Sequence, residues 1–121
     1  MSRWDALQVT RADRSDPAVM VARLSGLLDS TPESYAFLAE VQREARRGGL
    51  RLVIDLHEVA HLGSAGVGVL AACYTSVTGH GGRMCLTGAT GRIEMILRVV
   101  HLLDVLDHAD TEEEAVRRAA G

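Results

Sequence analysis

One segment of the chain has the residue spacing of a zinc-protease motif. His57, Glu58 and His61 read H-E-x-x-H, in which two imidazoles one helical turn apart bind zinc and the glutamate activates a water molecule. The motif directly follows an apolar run, and its extended form needs Gly and His where this chain has Ser64 and Val67. We therefore predict a solvent-exposed loop at 57–61, with no metal and no catalytic role.

A second segment has glycines at a spacing that is used to bind phosphates. Gly66-x-Gly68-x-x-Ala71 resembles a dinucleotide fingerprint, but that motif turns tightly out of a first strand, whereas this run lies inside a predicted helix. Small residues that let a helix pack closely on a sheet explain the pattern better. No G-K-[ST] follows, and residues 63–66 read G-S-A-G instead of the G-x-S-x-G of hydrolases. The sequence therefore predicts neither a cofactor nor an enzyme.

Ser64 is the remaining candidate for chemistry, because it stands at the predicted start of a helix. As an N-cap, its oxygen would accept hydrogen bonds from backbone N–H groups. As a phosphoacceptor, it would hold a phosphate at the positive end of the helix dipole, on the edge of a parallel sheet where helices begin. The residue pattern leaves both roles open.

Short apolar runs alternate with helical patterns along the chain, which predicts an α/β fold. Strands are predicted at 7–10, 19–24, 50–56, 83–87 and 104–107, with a turn at Ser25-Gly26 after the second. Helices are predicted to begin at Thr31, Ser64, Thr90 and Thr111. The order β-β-α-β-α-β-α-β-α predicts a single domain over 1–121. Its sheet should be mixed and mostly parallel, with about five strands and about four helices.

The composition argues against several classes of partner. The chain has 121 residues, a formal net charge of -3 and 13 basic residues, all of them arginine. It lacks the basic stripe and the aromatic platforms that nucleic-acid binding uses. Cys73 and Cys85 lie in apolar runs and are predicted to be reduced. The charged N-terminus predicts no secretory signal, and glycines interrupt the uncharged stretch 59–82, so we expect a cytoplasmic protein without membrane insertion.

The segment that follows the third predicted strand resembles the signature of a known family. Residues 55–67, D-L-x-x-V-x-x-L-G-S-A-G-V, are similar to the central motif of the STAS family, the sulfate-transporter and anti-sigma-factor-antagonist domains. The turn at 26–29, G-L-L-D, resembles the family's G-E-L-D turn, and Gly81-Gly82-Arg83 resembles the start of its next strand. The resemblance extends over residues 5–120.

The resemblance implies a binding protein and not an enzyme. Unphosphorylated antagonists of this family dock on an anti-sigma factor that is also a serine kinase, and so free a sigma factor. Phosphorylation at the start of the second helix weakens that docking. The implied partner-binding residues are Asp29, His61, Leu62, Gly63, Ser64, Ala65, Gly66, Val67 and Gly68.

Two residues depart from the family motif D-[ST]-[ST]-G. Gly63 replaces its aspartate, and Ala65 replaces the second hydroxyl residue, which is the usual phosphoacceptor. Ser64, the first hydroxyl residue, is kept and is the candidate phosphoacceptor. Three interpretations stay open: Ser64 is phosphorylated, or the domain binds its partner without being switched, or it is similar to another branch. In that branch, the accessory subunit of lipid-asymmetry ABC transporters carries D-[ST]-A-G and binds the transporter ATPase.

Overall fold

The computed structural model describes residues 7–11 and 18–121, and within them it forms one β-sheet with helices on both faces. The strands are β1 (Leu7–Arg11), β2 (Val19–Leu28), β3 (Arg51–Leu62), β4 (Arg83–Thr87) and β5 (Asp107–Ala109). The helices are α1 (Pro32–Ala45), α2 (Ser64–Gly79), α3 (Gly91–Val99) and α4 (Glu112–Ala120). The predicted α/β class and the predicted order of elements are both confirmed.

The strands lie side by side in chain order, β1-β2-β3-β4-β5. β1 runs antiparallel to β2, whereas β2, β3, β4 and β5 run parallel to one another. Each helix that joins two parallel strands returns the chain from the carboxyl end of one to the amino end of the next. The helices therefore begin at one edge of the sheet, the carboxyl edge, and end at the opposite, amino edge.

Alternating side chains along β3 contribute to two cores of unequal size. Leu52 and Ile54 belong to the larger core, which α1, α2 and α3 cover. Val53 points the other way, into a smaller core that α4 covers. The sheet is thus buried on both faces in its central part, as the continuous apolar run at the start of β3 predicts.

Both cysteines are free and buried, in agreement with the prediction of reduced, structural thiols. Cys73 lies in the larger core and Cys85 in the smaller one. Burial raises the pKa of each thiol to about 12. Both thiols therefore stay protonated at neutral pH and are poor nucleophiles.

β2 and β3 are both longer than their sequence patterns predict. The turn expected at Ser25-Gly26 is wrong, because β2 continues to Leu28 with two shifts of register against β3. Gly26 has a φ of 89°, a left-handed conformation that glycine adopts without strain, so the strand bulges here instead of turning. The loop predicted at 57–61 is also wrong, since β3 extends to Leu62.

The last strand lies later in the chain than predicted. β5 occupies Asp107–Ala109 instead of 104–107, because a short 3-10 turn at Leu102–Asp104 takes up the start of the predicted strand. By contrast, β4 has the predicted bounds, 83–87. Glycines flank β4 on both sides, which marks its ends clearly in the sequence.

The helix starts are of two kinds. Thr31 and Thr111 cap α1 and α4 as predicted, since each hydroxyl accepts a backbone N–H three residues on, at 3.1 Å in both helices. Thr90 is the N-cap of α3 but makes no side-chain bond there. The cap position of α2 belongs to Gly63, which has no side chain to bond, so the interpretation of Ser64 as an N-cap is wrong.

The uncharged stretch 59–82 divides between the end of β3, α2 and the turn that follows α2. No helix in residues 7–11 and 18–121 is long and apolar enough to cross a membrane. Residues 1–6, in which we predict no secretory signal, lie outside the described ranges.

Candidate functional site

The carboxyl ends of β2 and β3 lie side by side and lead directly into α1 and α2. Leu28 pairs with Leu62 in the parallel ladder. The N–H of Gly63 donates a hydrogen bond to the carbonyl of Leu28 at 3.0 Å. Gly63 alone joins β3 to α2, because β3 ends at Leu62 and α2 begins at Ser64. The start of α2 is therefore fixed to the edge of the sheet.

The carboxylate of Asp29 occupies the space next to Gly63. A Cβ at position 63 would overlap Asp29 Cγ and both of its carboxylate oxygens. Asp29 lies in the turn between β2 and α1, where its N–H donates to Ser34 Oγ at 3.3 Å and its carbonyl accepts from the Thr31 N–H at 2.9 Å. A negative charge is thus held beside the first turn of α2, where Gly63 makes room for it.

Gly66 brings α2 close to β2. A Cβ at this position would overlap the backbone carbonyl of Leu28 and lie 2.9 Å from Leu62 Cδ1. Gly68 differs, because a Cβ there would meet no atom within 4 Å. The prediction that small residues allow close packing of this helix is therefore confirmed at Gly66, whereas Gly68 leaves an open patch of helix surface.

Ser64 is the first residue of α2, and its side chain is exposed. Its hydroxyl makes no hydrogen bond to any residue that the structure describes. The first turn is held instead by a backbone bond from the Val67 N–H to the Gly63 carbonyl at 3.0 Å. A group attached to Ser64 would therefore break no bond that holds the helix.

His61 completes an exposed polar surface around Gly63. Its Nε2 lies 3.6 Å from Asp29 Oδ2, and the side chains of His61 and Asp29 are 60% and 32% exposed. We call the surface formed by Asp29, His61 and residues 62–68 the α2 rim. The structure brings all of the predicted partner-binding residues together on this rim.

A comparison with protein-family models matches residues 10–115 to the STAS domain. The match covers most of the chain. The chain belongs to the STAS family. The resemblance carried by residues 55–67 is thereby confirmed. A comparison with curated proteins finds no match.

Solved structures similar to this STAS domain include anti-sigma factor antagonists. One from Mycobacterium paratuberculosis is 22% identical over 100% of both chains, with a TM-score of 0.80. An anti-sigma-factor antagonist domain protein from Planctomyces limnophilus is 18% identical over 96% of this chain and 99% of that one, with a TM-score of 0.72. The Bacillus cell fate determinant SpoIIAA in its phosphorylated form is 22% identical over 93% and 98%, with a TM-score of 0.68. These likenesses establish the shared fold.

Exposure divides the α2 rim of this STAS domain into three groups. Ser64, Gly68 and His61 are exposed and available to a partner. Leu62 is only 4% exposed, and Gly66 is buried against β2, so these two residues support the rim from beneath. The half-buried members are Asp29, Gly63, Ala65 and Val67.

The H-E-x-x-H residues of this STAS domain lie in an extended strand. His57 and Glu58 are both 72% exposed, with 3.8 Å between His57 Nε2 and Glu58 Oε1. Four residues of a strand span about 13 Å, so His57 and His61 are too far apart to share a metal ion. Within the described ranges, no three His, Cys, Asp or Glu side chains are grouped so that they could hold a metal.

A polar network on the α4 side of the sheet was not predicted from the sequence. Arg23 on β2 donates to both carboxylate oxygens of Glu112 on α4, at 2.9 and 2.8 Å. Asp55 is the neighbour of Arg23 on β3, and burial, followed by a hydrogen bond with Glu112, raises its pKa. The network ties the start of α4 to β2 and β3. Its only signal in the sequence is that charged residues occur on two adjacent predicted strands.

Proposed function

We propose that this STAS domain is a regulatory binding protein of the anti-sigma-factor-antagonist type. It docks through the α2 rim on an anti-sigma factor with serine kinase activity and so frees a sigma factor, without catalysing a reaction itself. The observation that carries the proposal is the open start of α2. There, Ser64 and His61 are exposed around a glycine cap, beside the carboxylate of Asp29.

A switch at this rim acts through charge. A phosphate on Ser64 adds about -1.5 to -2 charges at neutral pH. It would stand at the N-terminus of α2, where the helix dipole and free N–H groups favour an anion. The same phosphate would face the Asp29 carboxylate across Gly63. Modification would therefore change the charge of the rim and leave the fold intact.

Ala65 limits the choice of acceptor. It stands at the family's usual phosphoacceptor position and has no hydroxyl, so Ser64 is the only hydroxyl residue in the segment 61–68. If Ser64 is phosphorylated, the domain is a switched antagonist whose acceptor has moved by one residue. If Ser64 is never phosphorylated, the domain is an antagonist that binds constitutively.

Capture of the partner by the full chain tests the proposal. We expect mass spectrometry to identify a kinase-fold anti-sigma factor, and the intact mass of the chain reports its modification in the same experiment. A mass increment of one phosphate mapped to Ser64 supports the switched form. An unmodified chain bound to the same partner supports constitutive binding. Capture that repeatedly lacks any such partner contradicts the proposed function.

Ser64→Asp tests the docking surface directly. We expect it to weaken partner binding about tenfold or more, since it places a second negative charge next to Asp29. The free energy of unfolding should change by less than about 0.5 kcal/mol, because the side chain is exposed. Thr75→Asp is the control on the same helix, about 16 Å along its axis, and should leave the affinity unchanged. Unchanged affinity of Ser64→Asp would remove the rim from the docking surface.

A second function is favoured by Ala65 itself. Residues 64–66 read S-A-G, as in the D-[ST]-A-G of accessory STAS subunits of lipid-asymmetry ABC transporters. In that case the rim binds the transporter ATPase. Co-purification with an ABC ATPase instead of a kinase-fold protein distinguishes this function from the first.

A further inference from the structure

The amino edge of the sheet carries a cluster of exposed arginines. The N–H of Gly49 after α1 donates to the carbonyl of His80 after α2 at 3.0 Å. Arg51 pairs with Arg83 across β3 and β4, and it donates to the carbonyl of Ala119 near the end of α4 at 3.1 Å. The ends of three helices and the starts of two strands therefore meet here. The residues that we call the arginine surface are Arg43, Arg46, Arg47, Arg83 and Arg117.

The charges of the arginine surface are largely uncompensated. Arg47 lies 3.9 Å from Glu44. No ion pair links the other members to an acidic residue in the part of the chain that the structure describes. Arginines elsewhere do bind carboxylates, as Arg23 binds Glu112 at 2.8 Å. Helix dipoles explain cations at the ends of α1 and α4, but Arg83 begins a strand and needs another explanation.

Exposed aliphatic side chains adjoin the arginine surface. α3 and the turns after it expose Met95, Val99, Val100 and Val105. Val99 is 71% exposed. Val105 and Arg83 line the same shallow hollow, so the two surfaces meet there. Asp107 lines this hollow too, where its carboxylate pairs with Arg118 at 3.0 Å. Four of the six exposed large apolar side chains within the described ranges thus lie on α3 and the turns after it, and Val105 adjoins Arg83.

We propose that the arginine surface and these aliphatic side chains bind an anionic phospholipid membrane by peripheral contact. A lipid surface presents anionic headgroups over a wide area with an apolar layer directly beneath them. The arginines come from the ends of separate elements and are spread along one edge of the sheet. This arrangement matches a broad charged surface better than a single acidic peptide, which needs a shaped groove.

The α2 rim faces away from a membrane bound in this way. β3 has 12 residues, and a strand of that length spans about 40 Å between the amino and carboxyl edges. Electrostatic screening acts over about 8 Å at physiological salt. Asp29 and Glu58, near the rim, therefore do not cancel the attraction of the arginines. The acidic residues at the amino edge include Glu44, which lies 3.9 Å from Arg47, and Asp107, which pairs with Arg118 at 3.0 Å. Docking and membrane contact use separate surfaces, so either proposal can fail without the other.

Sedimentation of the full chain with vesicles tests the proposal. We expect binding to vesicles of phosphatidylglycerol and phosphatidylcholine, no binding to phosphatidylcholine alone, and weaker binding as salt is raised. Arg46→Gln and Arg83→Gln should each weaken binding about fivefold. Arg92→Gln is the matched control, because Arg92 is exposed in the first turn of α3, at the carboxyl edge. It should bind as the unchanged chain does.

The aliphatic contribution is tested with Val99→Ser, which should weaken vesicle binding, and Val9→Ser on β1 is its exposed control. Urea unfolding verifies that each variant is folded. Three results of the vesicle assay would overturn the proposal: no binding to anionic vesicles at low salt, equal binding to neutral vesicles, or equal losses in Arg92→Gln. Sedimentation velocity without vesicles measures whether the chain forms a dimer, which is the alternative to membrane contact. A dimer that Val99→Ser abolishes would show that these aliphatic side chains bind a second copy of the chain, and would contradict the proposal of membrane contact.

Discussion

The starts of α1 and α2 lie side by side at the carboxyl edge, yet they are built differently. At α1, Thr31 and Ser34 are buried, their hydroxyl oxygens are 2.8 Å apart, and Thr31 also accepts the Ser34 N–H. At α2, glycine holds the cap position, no side chain caps the helix, and Ser64 is exposed. The hydroxyl groups of Thr31 and Ser34 at the start of α1 thus make hydrogen bonds within the domain. The hydroxyl of Ser64 at the start of α2 is exposed and makes no such bond, which is why we propose the docking surface there.

Gly66→Ala tests how closely the start of α2 approaches β2. The added Cβ overlaps the carbonyl oxygen of Leu28, a backbone atom that has no rotamer to change. We expect the free energy of unfolding to fall by about 3 kcal/mol, as for other overpacked sites. Urea denaturation measures this loss.

The control for that prediction lies on the same helix. Gly68→Ala adds a Cβ that meets no atom within 4 Å, so it should raise the free energy of unfolding by about 1 kcal/mol through helix propensity alone. Effects of the same sign at both positions would contradict the close approach at Gly66.

Thr31→Ala tests whether a helix start with a side-chain cap, as in α1, contributes more stability than a start without one. It removes the cap of α1 and leaves the buried hydroxyl of Ser34 with fewer partners. We expect the free energy of unfolding to fall by about 1.5 kcal/mol. Thr90→Ala should cost less than about 0.5 kcal/mol, because Thr90 makes no side-chain cap bond. Equal losses in the free energy of unfolding at the two threonines would mean that the side-chain cap of α1 adds no stability.

Gly63→Ala tests the contact that joins the two helix starts. Its φ of -93° accommodates alanine, so the cost arises only from the displaced Asp29 side chain. Because that side chain can rotate, we expect a loss of about 1 kcal/mol in the free energy of unfolding. Asp29→Ala should abolish the loss in a double-mutant cycle. A cycle without coupling energy would mean that Asp29 does not occupy the space beside Gly63.

The sequence predicts the bounds of β4 well and the carboxyl ends of β2 and β3 poorly. β4 is flanked by β3 and β5 and packed on both faces, and its bounds were predicted to the residue. The second half of β3 pairs with β2 alone, because its pairing with β4 stops at Asp55. Exposed His57 and Glu58 in that half resemble a loop in the sequence. The bulge at Gly26 has the same effect on β2.

The family resemblance names the residues of the candidate site, but the sequence does not predict their geometry. Ser64 is recognisable at a helix start from local pattern alone. The contact between Asp29 and Gly63 depends on two strands ending in register, which no local pattern encodes. Arg23 and Glu112 are 89 residues apart, so their pairing is equally hidden. Composition likewise gives a net charge of -3 without revealing that arginines gather at one edge.

Gly63 alone connects β3 to α2, so the start of α2 has little freedom to move relative to the sheet. The N–H of Gly63 is bound to Leu28, so α2 cannot shift at its start unless two strands shift with it. In the docking that we propose, the rim is ordered before the partner arrives, so little conformational entropy is lost on binding. In the same proposal, a phosphate on Ser64 acts on the partner through its charge and not through a shift of the helix. The phosphorylated and unphosphorylated domains would have the same shape and differ only in the charge of the α2 rim.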